Sequence, residues 1–263
     1  MEDILSLKGR VALITGAGQG VGRETALYFA AHGCKAVLVN DYYQERADAV
    51  AAEVTALGSR GIAVVGDITD YEKITQLIEN AAREAGGLHI VVNNAGNAGP
   101  NPSFESLPPF WMTGPEDWQV WMGTNFFGVL NVCRAAVPLM IEGNSGGSII
   151  NVISDAGRVG EPHLAIYSAA KAGAAGFGRA LAKGVGKHNI RVNSVALGSI
   201  QTPGVQQRFD DPEAMKKILR QYILRRVGEP SDAASMILFL ASEASSWISG
   251  QTYPVNGGYS VSQ

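Results

Sequence analysis

A doubly wound α/β fold, with a parallel sheet of about seven strands and helices on both faces, is what the chain predicts. Two observations carry this. Short runs rich in Val, Ile and Leu alternate with segments of helical periodicity, and the runs are apolar on both faces, as buried parallel strands are. A glycine-rich turn then joins the first run to the first helical segment. In order, strands read at 10–15, 36–40, 61–65, 88–93, 148–153, 191–196 and 251–255. Helices read at 21–32, 44–57, 71–85, 116–140, 165–187 and 231–241. Ligands of such sheets bind at the carboxyl ends of the strands, so those ends are where chemistry is expected.

The first strand ends in Thr15-Gly16-Ala17-Gly18-Gln19-Gly20-Val21-Gly22, which opens the first helix. Glycines allow a tight turn and let a pyrophosphate approach the backbone at a helix N-terminus. Gly16, Gln19, Gly20, Val21 and Gly22 are therefore candidate cofactor contacts. The second strand ends at Asn40-Asp41, about 20 residues past the glycines, where a carboxylate can accept hydrogen bonds from an adenosine ribose. It also repels a 2′-phosphate, and the nearest cation is Arg46, so NAD is expected rather than NADP. The plainer alternative for Asp41 is capping the helix that starts near Gln44. After the third strand, Asp67 and Ile68 can hold the adenine edge, or Asp67 can simply serve a turn.

The fourth strand ends in Asn93-Asn94-Ala95-Gly96, where the middle of a dinucleotide passes. Asn94, Ala95 and Gly96 are candidate contacts. Segment 97–115 follows, with Phe104, Phe110, Trp111, Met112 and five prolines. It reads equally as a substrate wall or as a subunit contact. Helix 116–140 holds one oddity, Asn125 among Trp121, Met122, Phe126 and Phe127, and a buried amide needs partners. It either caps a backbone kink or holds a water linked to Lys171.

Ser154 ends the fifth strand. Thirteen residues later Tyr167 stands four before Lys171, so phenol and ammonium share one helix face. An ammonium there is expected to lower the phenol's pKa from about 10 and allow proton exchange with an alcohol or carbonyl oxygen. Past the sixth strand, Gly198, Ile200 and Thr202 are placed to meet a nicotinamide, and segment 201–222, with Phe209 and Met215, reads as a flap.

The 263 residues, 46% hydrophobic and 17% charged, suit one domain, since no Pro/Ser-rich or charge-run linker divides them. A net charge of −3 argues against nucleic-acid or membrane-surface partners. Cys34 and Cys133 form no framework or metal motif, and His32, His89 and His188 have no partner at ligand spacing, so no metal is expected. His163, four before Tyr167, either touches substrate or is a bystander. The acidic start, Met1-Glu2-Asp3, precedes no long apolar run and nothing approaches a membrane span, so the expected compartment is the cytoplasm.

Together these motifs resemble the short-chain dehydrogenase/reductase family, in its compact single-domain branch, over almost the whole chain. The matching pieces are Thr15–Gly22, Asp67, Asn93–Gly96, Asn125, Ser154, Tyr167 with Lys171, and Ser249-Gly250-Gln251 followed by Val255-Asn256-Gly257-Gly258. The resemblance implies a Rossmann-type fold and a catalytic tetrad of Asn125, Ser154, Tyr167 and Lys171. It casts Tyr167 as general acid/base, Ser154 as hydrogen-bond partner of the substrate oxygen, Lys171 as ribose ligand, and Asn125 as holder of a relay water. The expected reaction interconverts a secondary alcohol and a ketone with NAD. The alternatives are an NADPH-dependent 3-oxoacyl-thioester reductase, which Asp41 opposes, and a non-catalytic dinucleotide sensor.

Three departures stand out. Leu197-Gly198 replaces the family's Pro-Gly. Asp155 follows the serine where small residues are commoner, and it is expected to face solvent. Segment 97–115 is longer than usual. Finally, apolar side chains on helix 116–140 and small ones on helix 165–187 (Ala169, Ala170, Ala172, Gly173, Ala174, Ala175, Gly176, Gly178) suggest close helix pairing between subunits. With a second contact through strand 251–255, this predicts a homotetramer, as the family resemblance also implies.

Overall fold

The computed structural model describes residues 3–96, 108–203, 215–216 and 219–261. Seven strands form one parallel sheet: β1 (Val11–Ile14), β2 (Ala36–Asp41), β3 (Arg60–Val65), β4 (Ile90–Asn93), β5 (Gly147–Ser154), β6 (Ile190–Leu197) and β7 (Thr252–Val255). Their order is β3-β2-β1-β4-β5-β6-β7. Direction of travel reverses between β1 and β4, and a crevice for a ligand opens at such a switch point. In register, Leu13 lies beside Leu38 and Val91, and Ser154 beside Leu197.

Alternation along the strands divides the core between the two faces. One face buries Val11, Leu13, Leu38 and Ile149 beneath α3 (Tyr71–Ala85), α5 (Gly128–Glu142) and α7 (Ala165–Val185). The other buries Ala12, Ile14, Val37 and Ile150 beneath α1 (Gly20–Ala31), α2 (Gln44–Ala56) and α8 (Pro230–Ala241). Local signals place the ends. Asp70 caps α3 by accepting from the Lys73 N–H at 3.1 Å, and Gly86, at φ 82°, stops it in the left-handed region.

Helix 116–140 departs from expectation. It is α4 (Pro115–Met122), a π turn over Gly123–Phe127, and then α5. Asn125 sits inside that turn, fully buried, and its Nδ2 donates to the Trp121 carbonyl at 2.9 Å. A Cβ on Gly128 would lie 2.4 Å from Ile68 Cδ1, so a larger residue there would have to displace that side chain. By length and composition alone the run 115–142 would pass as a bilayer span, a test that buried core helices also pass. Its inner face, with Val129, Val132, Ala136 and Met140, is part of the core. A short α6 (Ala156–Val159) precedes α7.

Phe104, the rest of 97–107, and most of 204–218 with Phe209 lie outside the described residues. Phe110 stacks on Trp118 with centroids 5.8 Å apart, while Trp111 and Met112 are exposed.

Candidate active site

The carboxyl ends of the strands line one open cleft of about 880 Å³. Every candidate tetrad and cofactor residue named from the sequence lines it except Gly22 and Asn125, which buttress it.

At one end the glycine loop is held by its neighbours. Asn94 Nδ2 donates to the carbonyls of Thr15 and Gly16 at 2.9 and 3.0 Å, and Thr15 Oγ1 accepts from the Asn94 and Ala95 N–H groups. Gly16 and Gly20 have φ of 60° and 55°, which a side chain would strain. A Cβ at Gly22 would come within 2.4 Å of Gly16 O, so that glycine lets the helix start press against the loop. No side chain caps α1 at Gln19, leaving its first N–H groups to a ligand. The cleft thus offers a cradle of bare backbone with uncapped donors, which fits a pyrophosphate.

Asp41 is 6% exposed and accepts from the Gly18 N–H and the Tyr43 N–H, both at 3.0 Å. It therefore serves both the loop and the approach to α2, where Tyr43 is the N-cap residue. Arg46 packs over the same spot. A Cβ on Gly18 would meet Arg46 Cβ at 2.5 Å, and the guanidinium lies 4.4 Å from the Tyr43 ring centre. Asp67 accepts from the Thr69 N–H at 2.8 Å, so it does close a turn while lining the cleft.

Halfway along, Ser154, Tyr167 and Lys171 converge. Lys171 is 4% exposed and donates to the Val152 carbonyl at 3.0 Å. Its Nζ lies 5.8 Å from the Tyr167 ring centre, and Trp121 meets that ring edge-on at 5.6 Å. A Cβ on Gly96 would stand 3.2 Å from both Lys171 Nζ and Asn125 Oδ1, so these two groups face one small space. Burial pushes Lys171 down to about 8. It also pushes the Tyr167 phenol above its ordinary value, against a hydrogen bond with Ser154 that pulls it down. The expected lowering of the phenol is thus not produced here, because desolvation outweighs the Ser154 hydrogen bond.

Asp155 also departs from expectation. It is 2% exposed rather than facing solvent. Its carboxylate accepts from Arg158 at 2.6 Å, from Asn256 Nδ2 at 2.5 Å and from Ser260 Oγ at 2.9 Å, which offsets the cost of burying the charge. The C-terminal segment is thereby tied beside Ser154.

The substrate end contains residues that sequence reasoning passed over, Glu161, Leu164 and Tyr259, beside Tyr222, the last residue of the expected flap segment. Tyr259 donates to Glu161 Oε1 at 2.5 Å and stacks against Tyr222 with centroids 5.5 Å apart. Only folding brings position 161 to 259, and no local pattern marks that pairing. His163 is exposed and is not among the lining residues.

A family profile described as Enoyl-(Acyl carrier protein) reductase matches residues 16–260. A 3-oxoacyl-[acyl-carrier-protein] reductase FabG of Thermotoga maritima is 37% identical over 97% of this chain and 99% of its own. A cyclohexanol dehydrogenase of Acinetobacter is 35% identical, over 98% of this chain and 99% of its own. Among solved structures, a 7α-hydroxysteroid dehydrogenase complexed with NADH and 7-oxo glycochenodeoxycholic acid superposes with a TM-score of 0.89 at 36% identity, covering 98% and 97% of the two chains. A gluconate 5-dehydrogenase from Burkholderia cenocepacia with NADP and tartrate gives 0.89 at 29% identity, covering 98% and 97%.

Proposed function

The chain belongs to the short-chain dehydrogenase/reductase family, and from that premise we propose that it oxidises a secondary alcohol to a ketone, reversibly, with NAD. The observation that carries this is the convergence of Ser154, Tyr167 and Lys171 in the cleft, with Asn125 Oδ1 beside Lys171 Nζ. A bound nicotinamide supplies the acceptor for the hydride that leaves the alcohol carbon. Tyr167 takes the hydroxyl proton in oxidation and returns it to the ketone oxygen in reduction. Ser154 holds that oxygen by a hydrogen bond. Lys171 holds the nicotinamide ribose and, while charged, favours the phenolate. Asn125 and Lys171 pass the proton on through a water. The site belongs to a single domain with the cofactor loop, and the protein works in the cytoplasm as a homotetramer.

Preference for NAD rests on Asp41, whose buried carboxylate stands where a 2′-phosphate would need a cation. Arg46 is close, but its guanidinium is engaged with the Tyr43 ring. NAD should exceed NADP by at least tenfold in kcat/KM, about 1.4 kcal/mol. Asp41→Ala should narrow the ratio by removing the repulsion and leaving Arg46 free to meet the phosphate. Equal use of both cofactors by the unmodified protein removes the NAD assignment.

The second reading, a 3-oxoacyl-thioester reductase, is favoured by the similarity to such enzymes. It shares the tetrad chemistry and parts from the first reading at the substrate end.

A further inference from the structure

The substrate end of the cleft has a charge character that the tetrad does not explain. Among the described residues lining the cleft, the cations are Arg46, at the Asp41 end, and Lys171, beside the tetrad. The substrate end instead presents Glu161 and Tyr259 among Trp121, Leu164 and Tyr222. Asp155, also at the lining, is spoken for by Arg158. No described cation is paired with Glu161. Its partner is the Tyr259 hydroxyl.

This pair is held in place from both sides. The Glu161 N–H donates to Ser168 Oγ at 3.3 Å, tying it to the first turn of the helix that carries Tyr167. Tyr259 leans on Tyr222, whose own hydroxyl accepts from the Ser199 N–H at 2.9 Å. The next residue, Ser260, donates to Asp155. The Glu161 hydrogen bond, with burial adding to it, pushes the Tyr259 phenol up to about 12. Its proton therefore stays on the oxygen and points at Glu161. What both groups have left for a ligand is lone pairs. A fixed set of acceptors with negative charge rewards an O–H or N–H donor and penalises an anion. A site built to pair a donor also rejects an analogue that lacks one.

We propose that Glu161 and Tyr259 select the substrate, accepting a hydrogen bond from a second hydroxyl or amine of an alcohol that carries no carboxylate or phosphate. The aromatic and aliphatic walls take its apolar body. This selection rests on the alcohol dehydrogenase reading, and it separates that reading from reduction of a thioester held on a carrier protein.

The test is kinetic and uses the intact protein with NAD and four ring alcohols of one size: cyclohexanol, cyclohexane-1,4-diol, 4-methoxycyclohexanol and 4-hydroxycyclohexanecarboxylate. The diol should exceed the methoxy compound and the carboxylate by at least tenfold in kcat/KM. Glu161→Gln keeps the size and removes the charge. It should raise the carboxylate at least fivefold relative to cyclohexanol. Tyr259→Phe should bring the diol down to the methoxy compound. Thermal shifts of the NAD-loaded protein with each alcohol should follow the same order, giving a readout free of turnover. Equal kcat/KM for diol and carboxylate overturns the selection alone, as does a Glu161→Gln effect common to all four. If the protein neither binds nor turns over any of these alcohols or their ketones with either nicotinamide cofactor, the dehydrogenase reading falls and the selection falls with it.

Discussion

Lys171 is nine-tenths and more out of water, and it donates a hydrogen bond to the Val152 carbonyl at 3.0 Å. Burial holds it down at about 8, so the native protein gives up this proton well before an unfolded chain does, at about 10.4. Between those values the unfolded state binds more protons, and native stability rises with pH. A Lys171→Met variant has no such slope. The difference in unfolding free energy should therefore move in favour of wild type by about 2 kcal/mol between pH 8 and pH 10. Denaturant titrations across that range check it, and parallel curves for the two proteins would contradict it. The same titration reaches catalysis. Carbonyl reduction needs protonated Tyr167, which its raised value supplies, and charged Lys171, which is lost above about pH 8. Reductive kcat/KM should fall through that pH in wild type, and a profile flat to pH 10 would contradict the role given to Lys171. Asp155 carries the clearest lesson about single residues. Local sequence gives no reason to bury it, because two of its partners, Asn256 and Ser260, lie 101 and 105 residues away.

Elements show where close packing was hidden in composition. On β3, a Cβ at Gly61 would lie 1.9 Å from the Ala51 carbonyl oxygen of α2, a backbone atom that cannot swing aside. Gly61→Ala should cost about 1–3 kcal/mol and lower the melting temperature by several degrees. Turnover at 25 °C should be unaffected, since Gly61 is outside the cleft lining. An unchanged melting curve would mean the α2–β3 contact is looser than drawn. Strand and helix positions were legible because apolar runs and helical periods survive in any window of the chain. The π turn was not, since Gly123–Phe127 carries no local pattern that separates it from an α-helix. Its visible trace was Asn125, a buried amide that had to find partners. Small residues on α7 also divide in two. Gly173 lies against Phe126 and Gly178 against Asn151 of the same chain, whereas Ala169, Ala172 and Ala180 are exposed.

At the scale of the molecule, the strand-end motifs were readable as one site because a parallel sheet gathers all its carboxyl ends on one edge. The substrate end was not readable, because Glu161, Tyr222 and Tyr259 come from separate loops that only the fold brings together. The exposed apolar side chains Val120 and Phe127, with the bare alanines of α7, support subunit contact through these helices. Light scattering at micromolar protein should give about four times the 27.7 kDa chain mass. A stable, active monomer would refute the interface. The central claim concerns the proton, and the most direct measurement of it is turnover and NADH binding in Tyr167→Phe. The phenol's work in proton transfer is worth about 10²–10⁴-fold. The variant should therefore lose at least a hundredfold in kcat with a secondary alcohol while its NADH dissociation constant stays within about twofold. Turnover within tenfold of wild type would contradict the mechanism.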